Sequence, residues 1–381
     1  MVSDPDRRIN FIDLKAQQSR IRKSLDARIA TVLNHGSYIL GPEVKELEQA
    51  LSRYVGTKHC VSCGNGTDAL LMSLMALDVR PGDAIFVPPF TFVATAEVVA
   101  LTGATPVFVD IDEKTFNISP GSLEKAIEGL RKKNNGLRAK GIIPVDLFGQ
   151  PADYDAITAV AKRYDLFVLE DAAQSFGALY NGGRTCSFGD IAATSFFPAK
   201  PLGCYGDGGA IFTNDDDVDE KLRSIRVHGQ GTDKYDNVRI GINGRLDSIQ
   251  AAVLLEKMTI FDDELDLRNK VARRYSQLLG QSVVTPYVSP ACSSSWAQYS
   301  ILTEKRESVI SKLKARNIPT AIYYPKPLHM QDAFSYLRHK RGDFPVSERI
   351  AEKILSIPMH PYLDNATQDF IADAVKEALK N

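Results

Sequence analysis

From His59 onward, short apolar runs alternate with amphipathic stretches. The runs are Cys60-Val61-Ser62, Ala84-Ile85-Phe86-Val87, Thr105-Pro106-Val107-Phe108-Val109, Gly141-Ile142-Ile143-Pro144-Val145 and Leu166-Phe167-Val168-Leu169. They have the length of buried strands. Between them, Asp68 to Leu77, Ala94 to Leu101, Pro120 to Lys132 and Tyr154 to Lys162 have the length and spacing of helices crossing over a sheet. The alternation predicts an α/β domain with a mainly parallel sheet. Two further runs, Ile191 to Phe197 and Gly209 to Phe212, have no long helix between them. They predict a hairpin-like edge to a mixed sheet of about seven strands.

Residues 14–34 predict an exposed helix, and Pro42 sits in the first turn of another that reaches about Tyr54. Beyond Leu246 the texture changes. A helix from about Asp247 to Met258 leads into a charged helix, Asp262 to Leu279. The β-rich segments Ser282 to Pro286, Ala297 to Thr303 and Thr320 to Tyr324 then mix with short helices. The expected organisation is an N-terminal segment, 1–35, packing with a small domain; a large domain, 36–258; and a small α+β domain, 259–381.

The length of 381 residues agrees with two domains at about 150 residues each. Lys plus Arg number 46 against 47 Asp plus Glu, a net charge of -1, which gives no chain-wide reason to bind nucleic acid or an acidic membrane. The charged Met1 to Arg8 lacks an apolar signal-peptide core, and no uncharged apolar run approaches 18 residues. A cytoplasmic protein is expected. Five cysteines, Cys60, Cys63, Cys186, Cys204 and Cys292, are too few for a disulfide framework and read as reduced thiols. Cys60 and Cys63 have a zinc-like spacing, but no second pair follows, and in a strand both read as core; no metal is expected.

Ligands of open parallel sheets sit beyond the carboxyl ends of the strands. The run Phe167 to Glu170 ends there in Asp171-Ala172-Ala173-Gln174-Ser175. The run Ala192 to Phe197 ends in Pro198-Ala199-Lys200, followed by the glycine-rich Gly203 to Gly209. Gly64-Asn65-Gly66-Thr67 stands where the first strand gives way to a helix, a setting suited to phosphate although neither a Walker loop nor a dinucleotide fingerprint. Singly, Asp171 reads as a cap, Lys200 as a solvated loop lysine, and Gly64 to Thr67 as a weak signal. Together they match the needs of pyridoxal 5'-phosphate (PLP). A lysine forms a Schiff base with its aldehyde, an aspartate keeps its ring nitrogen protonated, and a cradle holds its phosphate.

With these blocks, and with Phe11-Ile12-Asp13-Leu14, Tyr38-Ile39-Leu40-Gly41-Pro42, Pro89 to Thr95 and Leu355 to His360, the chain resembles the DegT/DnrJ/StrS family of sugar aminotransferases. The resemblance implies the aspartate aminotransferase-like (type I) fold, with a seven-stranded large domain. It implies that Lys200 is the cofactor lysine and that Asp171 pairs with the ring nitrogen. Gln174 would lie near the 3'-oxygen, and Phe92 would stack on the ring. Gly66, Thr67, Asp68 and Ser195 would hold the phosphate. A homodimer with shared sites is implied, Asn243 being the phosphate ligand that one subunit gives to the other's site.

The implied reaction moves an amino group from L-glutamate, through pyridoxamine phosphate, to a nucleotide-linked keto-sugar. Lys200 serves as general base and acid. Lys at this position, rather than His, favours transamination over the related sugar dehydratases. The Pro198 to Ala210 run and Asn243 to Asp247 look most like enzymes aminating C3 of a UDP-2-acetamido-2-deoxy-3-keto-hexose or hexuronic acid, for a surface glycan. Tyr323 stands where such relatives carry His, which bears on a carboxylate in the sugar. His228, Arg245 and Tyr324 are the substrate candidates, Arg245 as a cation for carboxylate or pyrophosphate or as an interface ion-pair residue. The alternatives are a C3- or C4-aminotransferase of a dTDP-keto-deoxysugar and a non-catalytic binding or regulatory protein of the same fold.

Overall fold

The computed structural model describes residues 9–133, 136–233 and 235–380. The chain opens with two helices, α1 (Leu14–His35) and α2 (Pro42–Val55). Asp13 caps the first by accepting from the Ala16 N–H, and Gly36, at a φ of 69°, ends it in the left-handed region open to glycine. Pro42 begins the second, as its fixed φ favours.

The alternating part folds as β1 (His59–Cys63), α3 (Gly66–Ala76), β2 (Asp83–Val87), α4 (Ala94–Leu101), β3 (Thr105–Phe108), α5 (Pro120–Lys133), β4 (Arg138–Ile142), α6 (Tyr154–Tyr164) and β5 (Phe167–Asp171). A small hairpin, β6 (Leu179–Tyr180) and β7 (Gly183–Arg184), precedes β8 (Ile191–Ser195), β9 (Gly209–Thr213) and α7 (Asp216–Ile225). The main sheet has seven strands in the order β1-β9-β8-β5-β4-β2-β3. All neighbours pair in parallel except β9, which is antiparallel to both β8 and β1.

The mainly parallel sheet agrees with expectation, but the hairpin-like edge does not. The pair β8 and β9 forms, yet β1 closes over the far side of β9 and makes it an interior strand. Every residue of β9 is buried accordingly. The fourth strand also lies earlier than expected, over Arg138–Ile142, because its ladder runs beside β2 from Asp83. The odd spacing of Cys60 and Cys63 puts them on opposite faces of β1, in two different apolar clusters. All five cysteines are free thiols, and the described residues contain no metal-binding group of three or more ligand side chains.

The two helices expected after Leu246 are one, α8 (Ser248–Leu279), 32 residues long. Its first half packs with α1, α2 and the Ala210–Phe212 side of the sheet, and Val271, Tyr275 and Leu279 enter a second cluster. That cluster joins Ile9 to β11 (Tyr299–Leu302), α9 (Arg306–Ala315), β12 (Ile354–Ile357) and α11 (Asn365–Lys380). The short β10 (Cys292–Ser293) pairs with β6, and α10 (Pro345–Lys353) leads into β12. Ser282 to Pro286 and Thr320 to Tyr324 form no ladders; each contributes one bridge, Val284 to Leu302 and Ala321 to Ser356. Among the described residues no helix is long and apolar enough to cross a membrane.

Candidate active site

Strands β5 and β8 run side by side and deliver Asp171 and Ser195 to the same sheet edge. Asp171 is the last residue of its strand and is buried. Its Oδ2 accepts from the Thr95 hydroxyl at 2.8 Å, and its Oδ1 from the Ala173 N–H at 3.2 Å. Burial pushes its carboxyl pKa up, against the Thr95 and Ala173 bonds and the nearby charge of Lys200. Among the described residues Lys200 is the cation whose charge acts on it, so Asp171 is a desolvated carboxylate prepared for a positive partner.

Lys200 follows β8 on a loop whose turn is closed by its own N–H to the Phe197 carbonyl, 2.9 Å. The residue keeps some exposed surface, but its amine is enclosed by protein. Desolvation lowers its pKa to about 8 although Asp171 pulls the other way. At neutral pH this amine is deprotonated far more often than an ordinary lysine, as a nucleophile or proton shuttle requires.

The third element is the start of α3. Asn65 caps it, its Oδ1 accepting from the Asp68 N–H at 2.8 Å. Among the described residues no protein group accepts from the N–H groups of Gly66 and Thr67. A Cβ on Gly66 would lie 2.6 Å from the Ser195 Cβ, and one on Gly209 2.5 Å from the Asn65 carbonyl. Glycine at both places lets the helix start approach the ends of β8 and β9. The result is a cradle with two free N–H groups, the Thr67 hydroxyl and the Ser195 hydroxyl, a donor set suited to phosphate. Asp68 is half-buried with its carboxyl pKa raised by desolvation. The cradle, the enclosed amine and the pinned carboxylate thus fit PLP.

Gln174 is buried; its Oε1 accepts from the Phe148 N–H at 2.8 Å and its Nε2 donates to the Tyr324 hydroxyl at 3.2 Å. One amide hydrogen remains for a ligand oxygen. Phe92 leaves 55% of its surface exposed and stands 6.3 Å from the Tyr324 ring. Tyr324 therefore joins the cluster, its phenol pKa raised by burial.

His228, Asn243 and Arg245 form a second group, on the segment whose Gly244 carbonyl accepts from the Gly64 N–H at 3.0 Å. His228 and Asn243 are exposed, and Arg245 is half-buried with its Nε unpartnered. Among the described residues no hydrogen bond ties these three side chains to the Lys200 cluster. His329 is in neither group: it is buried, with Nε2 3.0 Å from Glu348 Oε1.

Sequence reading gives no role to Thr95 or Phe148. Thr95 lies in the first turn of α4, three residues after Phe92, and shares a bond of 3.2 Å with Thr91. Phe148 acts through its backbone, at a φ of 60°, and its residue type announces nothing.

Comparison with known proteins meets this geometry. The chain is 52% identical over 368 residues, 96% of its length and 99% of the relative's, to the UDP-2-acetamido-2-deoxy-3-oxo-D-glucuronate aminotransferase of Pseudomonas aeruginosa. A crystal structure of a DegT DnrJ EryC1 StrS aminotransferase from Brucella abortus superposes with a TM-score of 0.95 at 52% identity, covering 98% of this chain and 100% of that one. The Bacillus subtilis protein ntda, solved with bound cofactor PMP, superposes with a TM-score of 0.90 at 28% identity, over 100% and 86% of the two chains. The model of the DegT/DnrJ/EryC1/StrS aminotransferase family matches residues 19–376, and with the fold, the cradle and the Asp171–Lys200 pair in place, the chain belongs to that family.

Proposed function

We propose that the protein is a PLP-dependent aminotransferase that carries the amino group of L-glutamate to a nucleotide-linked keto-sugar. Its acceptor is C3 of a UDP-2-acetamido-2-deoxy-3-keto-hexose or hexuronic acid, in the making of an amino sugar for a surface glycan. The observation that carries this reading is the enclosed amine of Lys200 beside the buried, doubly hydrogen-bonded carboxylate of Asp171. The 52% identity to an enzyme named for such a substrate supports the choice of sugar.

PLP, when bound, supplies an aldehyde that takes the amino group and a ring that withdraws electrons from the donor's α-carbon. Lys200 Nζ then removes the α-proton and redelivers it, as a base of depressed pKa can near neutral pH. Asp171 holds the proton on the ring nitrogen, and Thr95 and Ala173 fix the direction of its carboxylate. Gly66, Thr67 and Ser195 anchor the phosphate, Asp68 lines the cradle, and Gln174 donates to the ring oxygen. Phe92 covers the ring face, and Tyr324, His228 and Arg245 meet the nucleotide-sugar. Asn243 serves the site of a second subunit in a homodimer. The exposed Tyr235, Val238 and Ile240 on the same connection, with exposed Phe92 and Phe197, support that contact.

The deciding experiment is a visible absorption spectrum of the protein with PLP before and after L-glutamate. A visible cofactor band that converts to the shorter-wavelength pyridoxamine form is expected, and UDP-linked 3-keto-sugars should reverse it faster than dTDP-linked ones. A band indifferent to glutamate would overturn the donor, and no band would overturn the reading.

A pH dependence follows from the enclosed amine. Only neutral Lys200 attacks the aldehyde, so the rate at which PLP attaches to cofactor-free protein should rise with pH around a midpoint near 8. An ordinary lysine would still be climbing well above that. In Asp171→Asn the midpoint should move lower, because Asp171 favours the charged amine. Stopped-flow growth of the visible band measures both.

A further inference from the structure

We propose that Lys257 is a positioning residue for Lys200: from inside the core it clamps the Gly203 carbonyl and fixes the loop, Phe197 to Cys204, on which Lys200 stands. The proposal rests on Lys200 being the cofactor lysine.

Lys257 lies on α8 and is 1% exposed. Its Nζ donates to the Gly203 carbonyl at 2.5 Å and sits 4.2 Å from the centroid of the Tyr205 ring. Among the described residues no carboxylate pairs with it. Neighbouring Glu256 bonds Arg28, and Glu264 bonds Gln17 and Tyr362. Burying an ammonium with no carboxylate bonded to it is costly, and an apolar side chain of similar length would fill the space at less cost. The retained charge therefore points to the bond it makes, a charge-assisted one to a backbone carbonyl.

That carbonyl belongs to the tightest part of the Lys200 loop. Cys204 donates its N–H and its thiol to the Phe196 carbonyl, at 2.8 and 3.0 Å, closing the loop at its base. A Cβ on Gly203 would lie 2.5 Å from the Phe197 carbonyl oxygen and 2.7 Å from that of Pro198. Gly203 is thus pressed against the loop's incoming segment at Phe197 and Pro198, and a shift of its peptide is transmitted to the turn carrying Lys200. Gln250, seven residues before Lys257 and on the same face of α8, accepts from the Tyr205 N–H at 2.9 Å. One rigid helix thereby grips two successive points of the segment that follows Lys200. Burial lowers the Lys257 pKa to about 8, with Cys204 and Glu264 favouring the charged form.

The test compares Lys257→Met and Lys257→Gln with the wild type. Hydrogen exchange in the cofactor-free proteins should show residues 200–206 exchanging about tenfold faster in both variants, while β5 and β8 keep their protection. In the PLP-loaded proteins kcat should fall about tenfold with KM for glutamate within about twofold, and the pH midpoint of the visible band should move. Wild-type exchange in the loop, or unchanged kcat with a superimposable band titration, would overturn the clamp. Lys257→Gln keeps the question open to refutation should the methionine variant fail to fold. If the wild type itself shows no cofactor band, the assignment of Lys200 fails, while exchange in the cofactor-free proteins still decides the clamp.

Discussion

Lys200→Ala should reduce transamination by at least about 10⁴-fold while leaving the fold intact, because it removes both the covalent anchor and the proton shuttle. The melting temperature should stay within about 3 °C of wild type, because burial of the amine opposes its charge and its removal relieves that cost. PLP should still bind through the cradle at Gly66, Thr67 and Ser195, but borohydride should no longer tether it to the protein. Small primary amines added to the variant should restore a fraction of the proton transfer. Turnover near the wild-type level would remove Lys200 from the chemistry, and a collapsed melting curve would show that the loop depends on the side chain for its folding.

The origin of this site in the sequence is uneven. The strand ends that present Asp171 and Lys200 were readable because four or five apolar residues followed by a polar cluster mark where a buried strand leaves the core. The placement of β9 was not. A continuously apolar run is the same whether its strand lies inside a sheet or at its edge, and the partner that makes it interior, β1, is about 150 residues away in the chain. The break expected near Met258 failed for a related reason. The charged residues beyond it, such as Asp262 and Asp263, describe an exposed face, and no proline or glycine interrupts the helix there.

Long-range partners were invisible for the same cause. Glu170 and Asp146 are fully buried near Asp171, Asp146 accepting from the Tyr154 and Ser175 hydroxyls and Glu170 from the Cys186 and Phe188 N–H groups; burial, with the Asp146 charge beside it, holds the Glu170 pKa well up. Nothing in either local segment shows this. Lys257 is likewise a polar letter in a helical pattern until the fold places Gly203 against it. The residues whose roles were legible act through their type and local spacing, and those that were not act through where the fold sends them.

Asp171→Asn should separate two effects of opposite sign. In the PLP-loaded protein it should lower kcat/KM by about 10³-fold, or about 4 kcal/mol, the scale on which a buried charge loses its only strong partner. The replacement is nearly isosteric, and its hydrogen bonds can be rebuilt. The new amide oxygen keeps the Ala173 N–H, and the new amide nitrogen donates to Thr95 Oγ1, which turns its own proton toward Thr91, 3.2 Å away. In the cofactor-free protein the same change should raise stability at neutral pH. Burial raises the folded pKa of Asp171, so its carboxylate favours folding less as pH rises from the unfolded value through the folded one. Above that window the charged form is a standing penalty that asparagine removes. Denaturant melts at pH 7.5 and pH 4 check this: the variant's advantage should be present at the higher pH and shrink at the lower. An advantage equal at both would mean that the carboxylate is not the source, and wild-type turnover in the loaded variant would mean that another group keeps the ring nitrogen protonated.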